Sequence, residues 1–124
     1  MSRPIRSLSL DAATSTGPGD VVRTKGHRNV LLFVIARNFD SGADTLTVAL
    51  EHSLNDGGDW DTLTTVTEAD VDGETATESL SNVAVEELRA TVTDFTDNSG
   101  DDLEVDAFVS ANGNPGTGYT TREV

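Results

Sequence analysis

Cysteine is absent from this 124-residue chain, lysine occurs once, and aromatic residues number six. The missing thiols exclude a disulfide framework, a thiolate metal centre and a cysteine nucleophile. So few aromatic rings leave little with which to stack on sugars or bases. The longest uninterrupted apolar stretch, Val30 to Ala36, has seven residues, against the roughly 20 that a membrane-spanning helix needs. No membrane partner is expected. Met1-Ser2-Arg3-Pro4 opens no signal-peptide pattern, so the secretory route is not expected either.

Acid is present in excess. Fourteen Asp and eight Glu stand against seven Arg and one Lys, for a net charge of -14. A single-sign surface of this size keeps a protein soluble while repelling itself. Near-molar salt shortens the screening length to roughly 3 Å and removes most of that repulsion. Acid excess, Asp over Glu and scarce Lys together have the composition of a protein from an extreme halophile.

High charge with few aromatics is also a signature of disorder, but the apolar residues are ordered in period two. Leu46, Val48 and Leu50 alternate with Thr45, Thr47 and Ala49, and Leu103, Val105, Ala107 and Val109 alternate with Glu104, Asp106, Phe108 and Ser110. Such alternation predicts strands. Eight short ones are expected, at Ile5 to Leu10, Asp20 to Thr24, Asn29 to Arg37, Thr45 to Ser53, Trp60 to Thr67, Thr75 to Leu80, Glu86 to Thr93 and Leu103 to Ala111. Gly-, Asp- and Asn-rich turns separate them. The expected fold is all-β, an antiparallel sandwich of jelly-roll type, spanning residues 1–111 as one domain. A short helical turn is an alternative over residues 83–89. Residues 112–124 form a Gly/Asn-rich C-terminal arm, which would order most simply by docking on a neighbour.

Charge is unevenly spread. Residues 1–37 hold six bases and two acids, net +4, whereas residues 38–124 carry -18. Arg3, Arg6, Arg23, Lys25 and Arg28 are therefore candidates for docking on an acidic partner. The competing expectation is that they pair with the protein's own carboxylates. Nucleic acid is not expected as a partner, because the acidic remainder repels phosphates and no nucleic-acid-binding motif is present.

Catalysis has little to stand on. His27 and His52 fall on different expected strands or at their edges, and no HExxH, GxSxG, GxGxxG or P-loop spacing occurs. His52 continues the register of Leu50 and is expected at the rim of the core. Asp56, Asp59 and Asp61, and Asp97, Asn98, Asp101 and Asp102, are oxygen-rich loops of the type calcium favours, but neither has the calcium-loop spacing. The expectation is a protein that is not an enzyme, with no catalytic residues, metal or cofactor.

The segment Ser53-Leu54-Asn55-Asp56-Gly57-Gly58-Asp59-Trp60, followed by Leu63-Thr64-Thr65-Val66, resembles the hairpin of small β-sandwich structural proteins of tailed viruses. In that hairpin a strand ends in a Gly/Asp turn and re-enters at a Trp. Arg28-Asn29-Val30 to Val34 and Leu88-Arg89-Ala90-Thr91-Val92-Thr93 fit the same layout, and the resemblance covers most of residues 20–110. Together with the acidic composition, it implies a virion protein of a haloarchaeal tailed virus, assembled in the host cytoplasm. As a head decoration or turret protein it would clamp the major capsid protein, as a homo-oligomer of which the trimer is the form the resemblance suggests. Phe39, Phe95 and Phe108 are the candidate subunit contacts. A tail, baseplate or head-tail connector component is the alternative within virions. A carbohydrate- or receptor-binding module is the alternative outside them, with Trp60 and Tyr119 stacking on sugar rings.

Overall fold

The computed structural model describes residues 5–55 and 57–113, apart from the side chains of Ile5, Arg6, Lys25 and His27. Among the described residues seven strands form: β1 (Ile5–Ala13), β2 (Gly17–Pro18), β3 (Val22–Arg37), β4 (Thr45–Ser53), β5 (Asp61–Thr67), β6 (Thr75–Thr96) and β7 (Glu104–Gly113). A single 3-10 turn, Glu68–Asp70, leads from β5 toward β6. All pairings are antiparallel, in the order β1-β7-β3-β6-β4-β5, with β2 on β6.

The expected eight strands become seven because two breaks are bridged and one short strand is added. Lys25-Gly26-His27 reads as an interruption, yet Gly26 takes a φ of 100° and β3 continues through bulges on either side of it. Ser81-Asn82 is bridged likewise: Asn82 takes a φ of 56° and donates its backbone N–H to Asn29 Oδ1 at 3.1 Å. The helical alternative over residues 83–89 is overturned, since β6 runs straight through them. Their β-branched Val83 and Val85 suit the pleat, and pairing with β3 and β4 fixes the extended backbone. Gly17–Pro18, expected as a loop, adds the short β2.

β6 is long enough to serve two layers. Its residues 75–88 pair with β3 and its residues 87–96 with β4. The sheet therefore folds over on itself into a sandwich, β1-β7-β3-β6 facing β2-β6-β4-β5. Val30, Leu32, Val34 and Ala36 of β3 and Val105 to Ala111 at alternate positions of β7 supply one inner face. Leu46, Val48 and Leu50 of β4 and Leu88, Ala90 and Val92 of β6 supply the other, and all share one core. Each fully buried Leu or Val contributes roughly 1.5–3 kcal/mol of burial.

Side chains and short crossings tie the two layers together. The Ser9 hydroxyl accepts from the Ala90 N–H at 2.9 Å and donates to the Asp20 carbonyl at 2.7 Å. Asp20 N–H donates to the Ser9 carbonyl and Gly19 N–H to the Ala90 carbonyl, both at 2.7 Å. A side chain at Gly19 would sit 2.2 Å from the Ser9 carbonyl oxygen, so this crossing requires glycine. On the opposite side, Thr64 of β5 reaches Glu78 of β6 at 3.4 Å. Edges that would otherwise invite pairing are partly covered in this way.

Candidate interaction surface

The outer face of the first layer is apolar at its centre. β3 has one face in the core, so the same seven-residue run that buries Val30, Leu32 and Val34 turns Leu31, Phe33 and Ile35 outward. Register then builds a row across four strands: Leu8 of β1 stands beside Phe108 of β7, Phe108 beside Phe33, and Phe33 beside Thr77 of β6. The Phe33 and Phe108 rings lie 6.4 Å apart at a 43° tilt, within the range in which aromatic pairs attract. Leu31, Phe33, Ile35, Thr77, Phe108 and Ser110 line a groove of about 570 Å³, and Leu8 beside it is 38% exposed. None of these seven residues is ionisable.

Charge begins at the end of the groove. Arg37 binds Glu104 at 3.1 Å and both carboxylate oxygens of Asp106, one of them at 3.2 Å. Asp106 also accepts the Ala12 N–H at 2.7 Å. The Arg37 hydrogen bond, with help from Ala12 and against partial burial, holds the Asp106 carboxyl below the usual carboxylate range. The hydrogen bonds that Arg37 donates to Asp106 and Glu104 in turn raise its own pKa. One guanidinium thus faces two carboxylates, leaving this three-residue cluster one unit negative.

The expected basic docking patch is only partly brought together. Arg23 binds the buried Glu87 carboxylate at 2.7 Å; the Arg23 side chain is 73% exposed and that of Glu87 3%. Arg28 is half-buried and engaged within the chain. Arg3 lies outside the described residues, as do the side chains of Arg6 and Lys25. Arg6 is placed by its backbone, opposite Ser110 in the row next to Leu8 and Phe108.

Of the three candidate subunit contacts, Phe108 stands on the outer face. Phe39 and Phe95 instead pack half-buried against the core, because the loop after β3 and the end of β6 turn them under the sandwich. Trp60 is half-buried, with the Arg89 guanidinium 4.0 Å from its ring centre. Arg89 in turn binds Glu51 at 2.8 Å, and Thr91 donates to the same oxygen at 2.6 Å. One face of the indole is therefore covered. Tyr119, the other stacking candidate, lies outside the described residues, as does the arm beyond Gly113.

The acidic loops use their carboxylates on their own backbone. Asp44, 2% exposed, accepts from Ser99 N–H at 3.0 Å, Ser99 Oγ at 3.2 Å and Asp40 N–H at 2.9 Å. Burial pushes its pKa up, but these bonds together outweigh burial and hold it below 3.8. Asp97 accepts from Ser99 Oγ, Gly100 N–H and Leu103 N–H. In the β4–β5 turn, Asn55 bridges Ser53 and Asp59, and Asp56 lies outside the description. Among the described residues, no group of three or more His, Asp or Glu is placed to hold a metal. His52 is half-buried at the core rim, its Nδ1 without a hydrogen-bond partner, and the side chain of His27 lies outside the description.

No protein-family model matches this chain, and no curated protein matches it in sequence.

Leu31, Phe33 and Ile35 escape sequence reasoning because a continuous apolar run reads as a strand buried on both faces. The available signal was Phe108, an aromatic on the polar side of an alternating strand, since a strand neighbour must share its environment.

Proposed function

We propose that this protein is a noncatalytic structural component of a virion, decorating and stabilising the capsid of a tailed virus in a high-salt setting. The observation that carries the reading is the uncharged apolar centre of the first layer's outer face, on a chain of net charge -14. An apolar patch framed by polar residues marks a contact surface. Acidic residues elsewhere keep the assembled particle soluble, and salt screens their repulsion. A laced sandwich whose strands all belong to one hydrogen-bonded sheet is a stiff unit for clamping capsid subunits. The β4–β5 hairpin around Trp60 supports the same setting by its resemblance to tailed-virus sandwich proteins.

Docking is assigned to the apolar face in preference to the basic segment, because Arg23 is committed to Glu87 and Arg28 to partners within the chain. Stacking on a sugar is disfavoured by the guanidinium over Trp60. The copy number of this chain relative to the major capsid protein, measured by mass spectrometry of particles purified in high salt, tests the proposal. Ratios near one or one third support decoration. A ratio of a few per cent moves the chain to the tail, baseplate or connector, and absence from particles ends the virion reading.

A further inference from the structure

Asp56-Gly57 and Asp72-Gly73 are steps of one chemistry. An aspartyl carboxyl before glycine can close on the next backbone nitrogen, because glycine has no β-carbon to hinder the approach. Closure needs that nitrogen free of a hydrogen bond and space for the ring. The fold treats the two steps differently.

Gly57 is held. Its N–H donates to the Ser53 hydroxyl at 3.0 Å, and Ser53 is 1% exposed. A side-chain carbon built on Gly57 would stand 3.3 Å from Glu87 Oε1, so the turn is also closely backed. Gly73 is neither held nor backed. It takes the first central place of the two-residue turn between Asp72 and Thr75, with a φ of 69°, the geometry of a II′ hairpin. Asp72 N–H donates to the Thr75 carbonyl at 2.8 Å, Thr75 N–H to the Asp72 carbonyl at 3.2 Å and Ala36 N–H to the Glu74 carbonyl at 2.7 Å. Among the described residues these bonds leave out the Gly73 N–H and the Asp72 carboxylate. Asp72, Gly73 and Glu74 are exposed, and a carbon built on Gly73 would meet nothing within 4 Å.

We propose that Asp72 is a site of spontaneous isoaspartate formation in the folded protein, whereas the Gly57–Ser53 bond protects the Asp56-Gly57 step. The inference stands apart from the docking reading. The Gly73 nitrogen gives up its proton and attacks the Asp72 side-chain carbon; a C–N bond forms, the C–OH bond of the carboxyl breaks and water leaves, closing a succinimide. Water then adds back. Opening at the side-chain carbonyl restores aspartate, and opening at the main-chain carbonyl leaves Gly73 linked through the Asp72 side chain with the α-carboxylate free. The main chain gains one methylene inside a turn bonded both ways across Asp72 and Thr75. The expected consequence is a loosened tip where Glu74 receives the N–H groups of Ala36 and Asn38 at the end of β3.

Peptide mapping of the full chain, aged in high salt at mildly acidic pH, measures the product. Isoaspartate leaves the mass unchanged, blocks the endoproteinase that cuts before aspartate and gives its own ions under electron-transfer fragmentation. The Asn112-Gly113 step closes the same ring with loss of ammonia, and its product is read apart by the change in mass. The expected result is an excess at residue 72 over residue 56 of about tenfold or more, the margin that one withheld hydrogen-bonded amide provides. In urea that margin should vanish, because unfolding frees both amides. Ser53→Ala, its fold checked by Trp60 fluorescence, should raise the product at 56 and leave 72 unchanged. If that variant fails to fold, the comparison of the parent chain in salt and in urea decides alone. Equal amounts at both positions in the folded chain, more at 56, or none at 72 overturns the proposal. So does a margin that persists in urea, which would place the difference in the sequence and not in the fold.

Discussion

The guanidinium of Arg89 lies 4.0 Å from the centre of the Trp60 ring and binds the half-buried carboxylate of Glu51 at 2.8 Å. One side chain therefore holds the β4–β5 turn down on the second layer and neutralises a carboxylate beneath it. Arg89→Ala is expected to cost about 2 kcal/mol, from a lost cation–π contact and a carboxylate left without its cation. Arg89→Lys should recover less than half, because an ammonium cannot lie flat on the indole while keeping the Glu51 bond. Urea unfolding followed by Trp60 fluorescence measures both. Equal stability of the alanine variant and the parent would remove the contact from the account of stability.

Adjacent leucines in β3 should behave in opposite ways. Leu32 is fully buried, so Leu32→Ala is expected to cost about 3 kcal/mol through lost burial and a cavity. Leu31 faces the groove, and Leu31→Ala should cost about 1 kcal/mol or less while weakening incorporation into particles. Equilibrium unfolding in high salt, paired with the copy number of each variant in purified particles, separates the two effects.

Asp44 supplies a pH dependence whose sign is fixed by its environment. Its folded pKa lies below the ordinary 3.8, so its contribution is complete above that value and is lost as pH falls through the folded pKa. Asp106 acts in the same direction. Asp44→Asn places an amide against the donors from Ser99 and Asp40, and should cost about 2 kcal/mol at neutral pH. The gap between variant and parent should narrow steadily from about pH 4 toward about pH 2. Thermal unfolding across that range is the measurement, and a gap that widened in acid would contradict the assignment.

A net charge of -14 predicts that stability rises with salt. Moving from about 0.1 M to about 3 M KCl should raise the melting temperature by about 10 °C as self-repulsion is screened. Sucrose strengthens burial without screening charge, so it should restore less of the loss at low salt. An unchanged melting temperature across the salt series would show that the acids repel too weakly to matter.

The strands that stand between strong turns were legible from residue order. Thr45 to Ser53 coincides with β4, and Trp60 to Thr67 begins one residue before β5. Continuity through Gly26 and Asn82 was not legible, because glycine and asparagine at positive φ end a strand or bulge it according to what lies alongside. At the candidate surface, Phe108 declared itself by breaking an alternating pattern. Phe39 and Phe95 had no such pattern, and only packing turned them toward the core. The Arg89–Trp60 contact joins residues 29 positions apart and rests on the pairing of β4 with both β5 and β6.

The order of residues by itself determined that this chain forms antiparallel strands separated by Asx-rich turns, has no thiol chemistry, and carries a net charge of -14. Tertiary structure alone decided which side of Val30 to Ala36 is core and which is contact surface. A run that is apolar at every position has no alternation to read, so only its register against Phe108 and Thr77, and the single buried face that a sandwich layer offers, separate Leu32 from Leu31.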